Sequence, residues 1–206
     1  MDKTAIEHWS PVIGGQFWWS GVIFALIFVP LMIFVGSKLT SKQRDIAIYG
    51  MGIYQLGNKI LSQVGYLLSD NYILASNLPL HLCGLSGILA GIVVFYRKQM
   101  LFEFLYFFGL VGFIHSVLTP EFTGGTSTWK IFDYYVGHSM LIIIPIWLMK
   151  YYDFRLRPNS WWTSFVYLQL IVVIVMQINN IIGNGANYMY LAKAPIANSP
   201  LVLQDP

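Results

Sequence analysis

A single cysteine, Cys83, follows Leu78-Pro79-Leu80-His81-Leu82 at the start of an apolar run that reaches Tyr96. The 19-residue run carries no formal charge beyond what His81 acquires. A thiol becomes a nucleophile once deprotonated, and a histidine from elsewhere in the chain can take its proton if the fold makes them neighbours. Reactive polar groups at the edge of hydrocarbon are costly, which makes them functional candidates. Pro79 favours a helix start, and the first-turn N–H groups and positive dipole end would stabilise a thiolate. His81 is a poor base for Cys83, because positions two apart on a helix point to different faces. His138, in Gly137-His138-Ser139, and His115, ahead of Ser116 and Thr119-Pro120-Glu121, are better placed. Plain packing competes with this reading, since a buried free cysteine usually behaves as a small hydrophobe. A histidine within an apolar span is often simply bonded to a backbone carbonyl.

A second set of polar residues recurs at helical spacing in Gln55, Lys59, Ser62, Gln63 and Tyr66. A lysine within a span must face the bundle interior, snorkel outward or pair with a carboxylate, and Asp133 is the first partner to expect. Asn179 and Asn180 can hydrogen-bond helices together, hold a lipid headgroup or stabilise an oxyanion. Glu103, beside Arg97 and Lys98, reads as an interfacial ion pair.

The elements that must position these groups are membrane helices. Of the 206 residues, 56% are hydrophobic, 17% aromatic and 10% charged, and the mean hydropathy is +0.61. A soluble domain carries about 25% charged residues. Apolar runs near 17–36, 46–68, 78–96, 100–118, 131–149 and 161–183 predict an all-α, polytopic transmembrane bundle of about six spans. It is expected to form one domain over 1–206, with a short tail at 184–206 and no repeat or linker. Trp18-Trp19 and Trp161-Trp162 mark interfaces.

Three alternate loops hold Lys38, Lys42 and Arg44, then Arg97 and Lys98, then Lys150, Arg155 and Arg157. Lys3, Lys130 and Lys193 fall on the other side, and Lys59 lies inside a span. The excess predicts cytoplasmic basic loops and extracytoplasmic termini in a multi-pass cell-membrane protein. Cys83 then lies roughly 7 Å below the outer surface, His138 roughly 10 Å, His115 roughly 5 Å, and Asn179 and Asn180 near the same level. Lys59 would stand roughly 20 Å from the cytoplasmic end.

Several classes lose support. One cysteine excludes an intrachain disulfide and a CxxC site, four histidines lack tight ligand spacing, and no metal or cofactor is expected. A net charge of +3 spread over short loops gives nucleic-acid binding no support. Asp2, Lys3 and Glu7 do not make the basic start of a signal peptide, so the first span is expected to be retained. Gly124-Gly125-Thr126-Ser127 lacks the spacing of a phosphate loop. Gly50/Gly52 and Gly183/Gly185 read as helix-packing or exit glycines.

Leu78-Pro79-Leu80-His81-Leu82-Cys83, Glu103-Phe104-Leu105-Tyr106-Phe107-Phe108-Gly109-Leu110, Leu118-Thr119-Pro120-Glu121, Gly137-His138-Ser139 and Asn187-Tyr188-Met189-Tyr190-Leu191 occur in an informative order and spacing. Over about residues 5–200 the chain resembles the bacterial YwaF-type integral membrane proteins, which are similar to the animal transmembrane protein 164 group. The resemblance implies acyl transfer onto lysophospholipids, with the cysteine and histidine roles falling on Cys83 and His138. Members usually continue after the Asn-Tyr segment into a Leu-Gly-Pro-Trp-Pro-Trp-Tyr stretch and a further span. Here Leu203-Gln204-Asp205-Pro206 stands instead, so either a last helix is absent or the chain is a truncated version.

The expected function is thus a membrane acyltransferase or transacylase working on membrane phospholipids through Cys83 and His138. His81, His115, Asn179, Asn180, Lys59 and Asp133 are the expected substrate-binding residues. The competing readings are a transporter or proton-coupled protein built on Lys59, Asp133 and the histidines, and a non-catalytic subunit assembled with other membrane proteins.

Overall fold

Apolar segments of this length must satisfy their backbone internally, and the chain does so as helices. In the computed structural model they are α1 (Gln16–Lys38), α2 (Ser41–Leu68), α3 (Leu82–Phe95), α4 (Gln99–Leu118), α5 (Thr128–Tyr151) and α6 (Ser160–Ile182), followed by a 3-10 turn, Tyr188–Tyr190. The structure describes residues 8–68, 72–123 and 127–194. Asp2, Lys3, Glu7, Gly124, Gly125, Thr126 and the Leu203–Pro206 end lie outside the described residues.

Among the described residues the fold is all-helical apart from one contact the sequence did not announce, an antiparallel pairing of β1 (His8–Trp9) with β2 (Phe122–Thr123). Trp9 packs against Phe17 and Phe122, with ring centroids 4.9 Å and 5.4 Å apart, and this pins the segment before α1 to the α4–α5 connection. Among the described residues four helices, α1, α4, α5 and α6, are long and apolar enough to cross a membrane. α2 has 28 residues but is diluted by its polar stripe and by Lys42, Arg44 and Asp45, and α3 has only 14.

α5 is the central helix and packs on α1, α2, α3 and α4, whereas α6 sits to one side against α4 and the 3-10 turn. The core gathers Ile48, Val93, Phe102, Leu105, Ile143, Ile144, Trp147 and Leu148, all fully buried. Small residues let the backbones approach. A Cβ on Gly91 would fall 2.4 Å from Leu56 Cγ, and one on Gly109 would fall 2.5 Å from the Leu141 carbonyl oxygen. Gly52 packs likewise on Val94, whereas Gly50 faces open space, so only one of that expected packing pair has the role. Gly183 leaves α6 with φ +60, the left-handed exit that glycine makes cheap.

Two expectations are corrected. α3 starts at Leu82, with His81 as its N-cap, so residues 78–81 lie outside the helix and Pro79 precedes it. The reason is tertiary: the Tyr188 hydroxyl accepts from the Leu78 N–H at 2.9 Å and donates to the Leu74 carbonyl at 2.7 Å, which holds this stretch as a loop. Glu103 pairs with Arg157 and not with its near neighbours. It accepts from Arg157 Nη2 at 2.7 Å, Nε at 2.9 Å and N–H at 3.0 Å, and from Gln99 Nε2 at 2.9 Å. Arg97 instead reaches Asp45 at 3.6 Å and lies over the Tyr152 ring. The Glu103 hydrogen bonds also hold Arg157 firmly in its charged form.

Candidate functional site

Because α3 starts late, Cys83 is its second residue. The first hydrogen bond of the helix runs from the Leu85 N–H to the His81 carbonyl, so the N–H groups of Leu82, Cys83 and Gly84 stand ahead of the ladder. The thiol turns toward α4, where Sγ lies 4.0 Å from the Gly112 carbonyl oxygen. A Cβ on Gly112 would meet that sulfur at 3.4 Å, and Leu141 of α5 at the same distance.

On α5, His138 Nδ1 lies 2.7 Å from the Tyr134 carbonyl oxygen, and its ring packs on that of Tyr134 at a tilt of 41° with centroids 4.2 Å apart. A carbonyl only accepts, so Nδ1 carries the proton and Nε2 is left with a free lone pair. The backbone hydrogen bond that makes His138 look merely structural therefore gives the imidazole the tautomer of a base.

No hydrogen bond joins Cys83 to His138 in this structure. They are linked through shared neighbours. Lys59 of α2 lies within electrostatic reach of both, and Tyr134 of α5 within reach of Cys83. Tyr190, in the 3-10 turn, also lies within electrostatic reach of Cys83. The Tyr190 hydroxyl donates to Glu121 Oε2 at 2.8 Å, and burial together with that carboxylate pushes it well above the ordinary tyrosine range, so it stays a protonated donor. The cluster is thus assembled from α2, α3, α4, α5 and the turn after α6.

Lys59 faces this interior, but it makes no ion pair with Asp133. The Asp133 carboxylate accepts at Oδ1 from Tyr54 Oη and from Asn58 Nδ2, both at 2.6 Å, so α2 satisfies it with neutral donors. Gln55 donates to the Gly137 carbonyl at 2.8 Å and Gln63 to the Asn77 carbonyl at 2.7 Å, so these members of the stripe tie α2 to its neighbours. Ser62 is exposed.

Asn179 is spent on structure. Its Nδ2 donates to the Tyr188 carbonyl and its Oδ1 accepts the Tyr188 N–H, both at 3.0 Å, which ties the amide to the 3-10 turn. Asn180 and His115 are exposed. His81 packs its ring against Tyr188 and Tyr190, at 5.4 Å and 5.1 Å between centroids. Sequence reasoning missed Tyr54, Asn58, Tyr134 and Tyr190. Tyr54 and Asn58 share the i, i+4 spacing of one helix face, but in a chain with 13 tyrosines the other two do not stand out.

No curated protein and no solved structure matches the chain. The TMEM164 family does, over residues 6–205, a stretch that takes in every element of the cluster. A membrane protein of several apolar helices that matches this family across nearly its whole length has a plain assignment: the chain belongs to the TMEM164 family.

Proposed function

We propose that the chain is a membrane-embedded acyltransferase or transacylase that moves acyl groups between glycerophospholipids through a thioester on Cys83. The observation that carries this reading is the 2.7 Å contact of His138 Nδ1 with the Tyr134 carbonyl oxygen. With Nδ1 turned to that carbonyl, Nε2 is the nitrogen left to act as base, and Lys59 lies within electrostatic reach of both His138 and the thiol at the first turn of α3. His138 Nε2 takes the Sγ proton, and sulfur attacks the ester carbonyl of a donor lipid. The tetrahedral oxyanion collapses and expels the glycerol oxygen, which receives the proton from His138. The free hydroxyl of a lysophospholipid then attacks the thioester, its proton passes to His138, and the thiolate recovers it. Water in the acceptor's place gives net hydrolysis. The N–H groups of Leu82, Cys83 and Gly84, at the first turn of the helix that carries the thiol, are the donors suited to the oxyanion. Catalytic hydrogen bonds are often long in ligand-free sites and tighten around substrate, which fits the separation of Cys83 and His138.

The same reading includes six crossings in a single domain, with the basic loops cytoplasmic, both termini outside and the cell membrane as residence. An outward-facing site has no access to cytoplasmic acyl-CoA, so the acyl donor is a membrane phospholipid. Incubating the purified protein with labelled phospholipid should give an acyl mass adduct that Cys83→Ala abolishes. If no adduct forms on the wild-type chain, the enzymatic reading fails and a transport or scaffold role takes its place.

A further inference from the structure

Among the described residues, no carboxylate forms an ion pair with the Lys59 ammonium. It is half-buried among α2, α3 and α5, and makes no hydrogen bond or ion pair with any described residue. Asp133 lies within electrostatic reach but is bonded to Tyr54 and Asn58. The course of the stem is fixed by a glycine: a Cβ on Gly87 would fall 3.0 Å from Lys59 Cε and 3.8 Å from Nζ. Gly87 is one helical turn beyond Cys83 on α3, so the ammonium is laid along the helix that carries the thiol. Burying a cation is costly unless an anion meets it, and a lysine is a compact point charge well suited to a phosphate oxygen.

We infer that Lys59 is a specificity residue, and that its ammonium receives the phosphate of the glycerolipid whose ester Cys83 attacks. This rests on the acyl-transfer reading and extends it. In a glycerophospholipid a short glycerol bridge separates the phosphate from the ester carbonyls. A cation one turn from the nucleophile therefore selects phosphate-bearing esters over neutral glycerides. Gly87 belongs to the device, because its missing side chain lets the stem lie across α3.

The test uses the full chain in vesicles, with labelled phosphatidylcholine and a diacylglycerol of the same acyl chains as donors. Acyl-adduct formation on Cys83 should favour phosphatidylcholine. Lys59→Met should lower the ratio of the two rates about 10- to 100-fold, the loss of one charge-assisted contact, and Lys59→Arg should restore most of it. An unchanged ratio, or an equal fall on both donors, overturns the inference. A second measurement does not need catalysis. In the Cys83→Ala background, phosphatidylcholine that co-purifies in native mass spectra should be lost on adding Lys59→Met and kept with Lys59→Arg. Equal retention by both overturns the phosphate role, whereas absence of an adduct from the wild type overturns only the enzymatic reading.

Discussion

Asn179 and Tyr188 are joined by a reciprocal pair of hydrogen bonds, side-chain amide to main chain in both directions, each 3.0 Å long. Through this pair α6 grips the 3-10 turn. Through its hydroxyl the same tyrosine grips the loop before α3, at Leu74 and Leu78. The turn holds Met189 and Tyr190 at φ 58 and 54, a left-handed conformation that non-glycine residues adopt at a cost. The latch therefore offsets local strain while it sets where α3, and with it Cys83, begins.

Breaking the latch should free the loop before it unfolds the bundle. Asn179→Ala leaves the buried N–H and carbonyl of Tyr188 unpaired, at about 1–3 kcal/mol for each group. Tyr188→Phe keeps the ring against His81 but removes both hydroxyl contacts. In both variants hydrogen exchange should accelerate at Leu78 and across residues 72–81, with little change in α5. Unchanged protection at Leu78 would show that the hydroxyl does not hold the loop.

The base assignment predicts a large kinetic effect. His138→Ala should slow single-turnover formation of the Cys83 acyl adduct about 10²- to 10⁴-fold, the usual contribution of a general base. A time course that matches wild type would remove His138 from the chemistry.

Glycines of opposite surroundings should respond with opposite sign. Gly91→Ala adds a methyl 2.4 Å from Leu56 Cγ, and such overpacking costs about 1–3 kcal/mol. Gly50 lies inside α2 with nothing within 4 Å, so Gly50→Ala should stabilise by about 0.5–1 kcal/mol through helix propensity. Thermal unfolding in detergent should shift down for the first and up for the second, and shifts of the same sign would contradict the packing described here.

At the far end of the bundle, Glu103→Gln replaces a carboxylate that accepts four hydrogen bonds, three of them from Arg157, with a group that must turn an NH₂ toward cationic donors. The loss should lower Tm by about 3–8 °C and loosen the α5–α6 connection. Arg157→Lys should recover only part of it, because a lysine cannot reproduce the forked contact. An unchanged Tm would mean that the pair contributes nothing at this position.

The sequence by itself determined the class of the protein. Apolar runs of helical length leave a chain in lipid one way to satisfy its backbone, so the six helices and their approximate limits were legible. Cys83, His138 and Lys59 stood out as candidates, because a reactive or charged group in such a run is costly. The start of α3 was not legible, since Pro79 is a local signal and the Tyr188 hydroxyl that overrides it acts from 110 residues away. Nor were the partners. Lys59 seemed to call for Asp133, and Glu103 for Arg97, because opposite charges attract in any reading of composition. Tertiary structure gave Asp133 to Tyr54 and Asn58, and Glu103 to Arg157. Hydrogen bonds act over about 3 Å, and only the packing of helices decides which donors come that close.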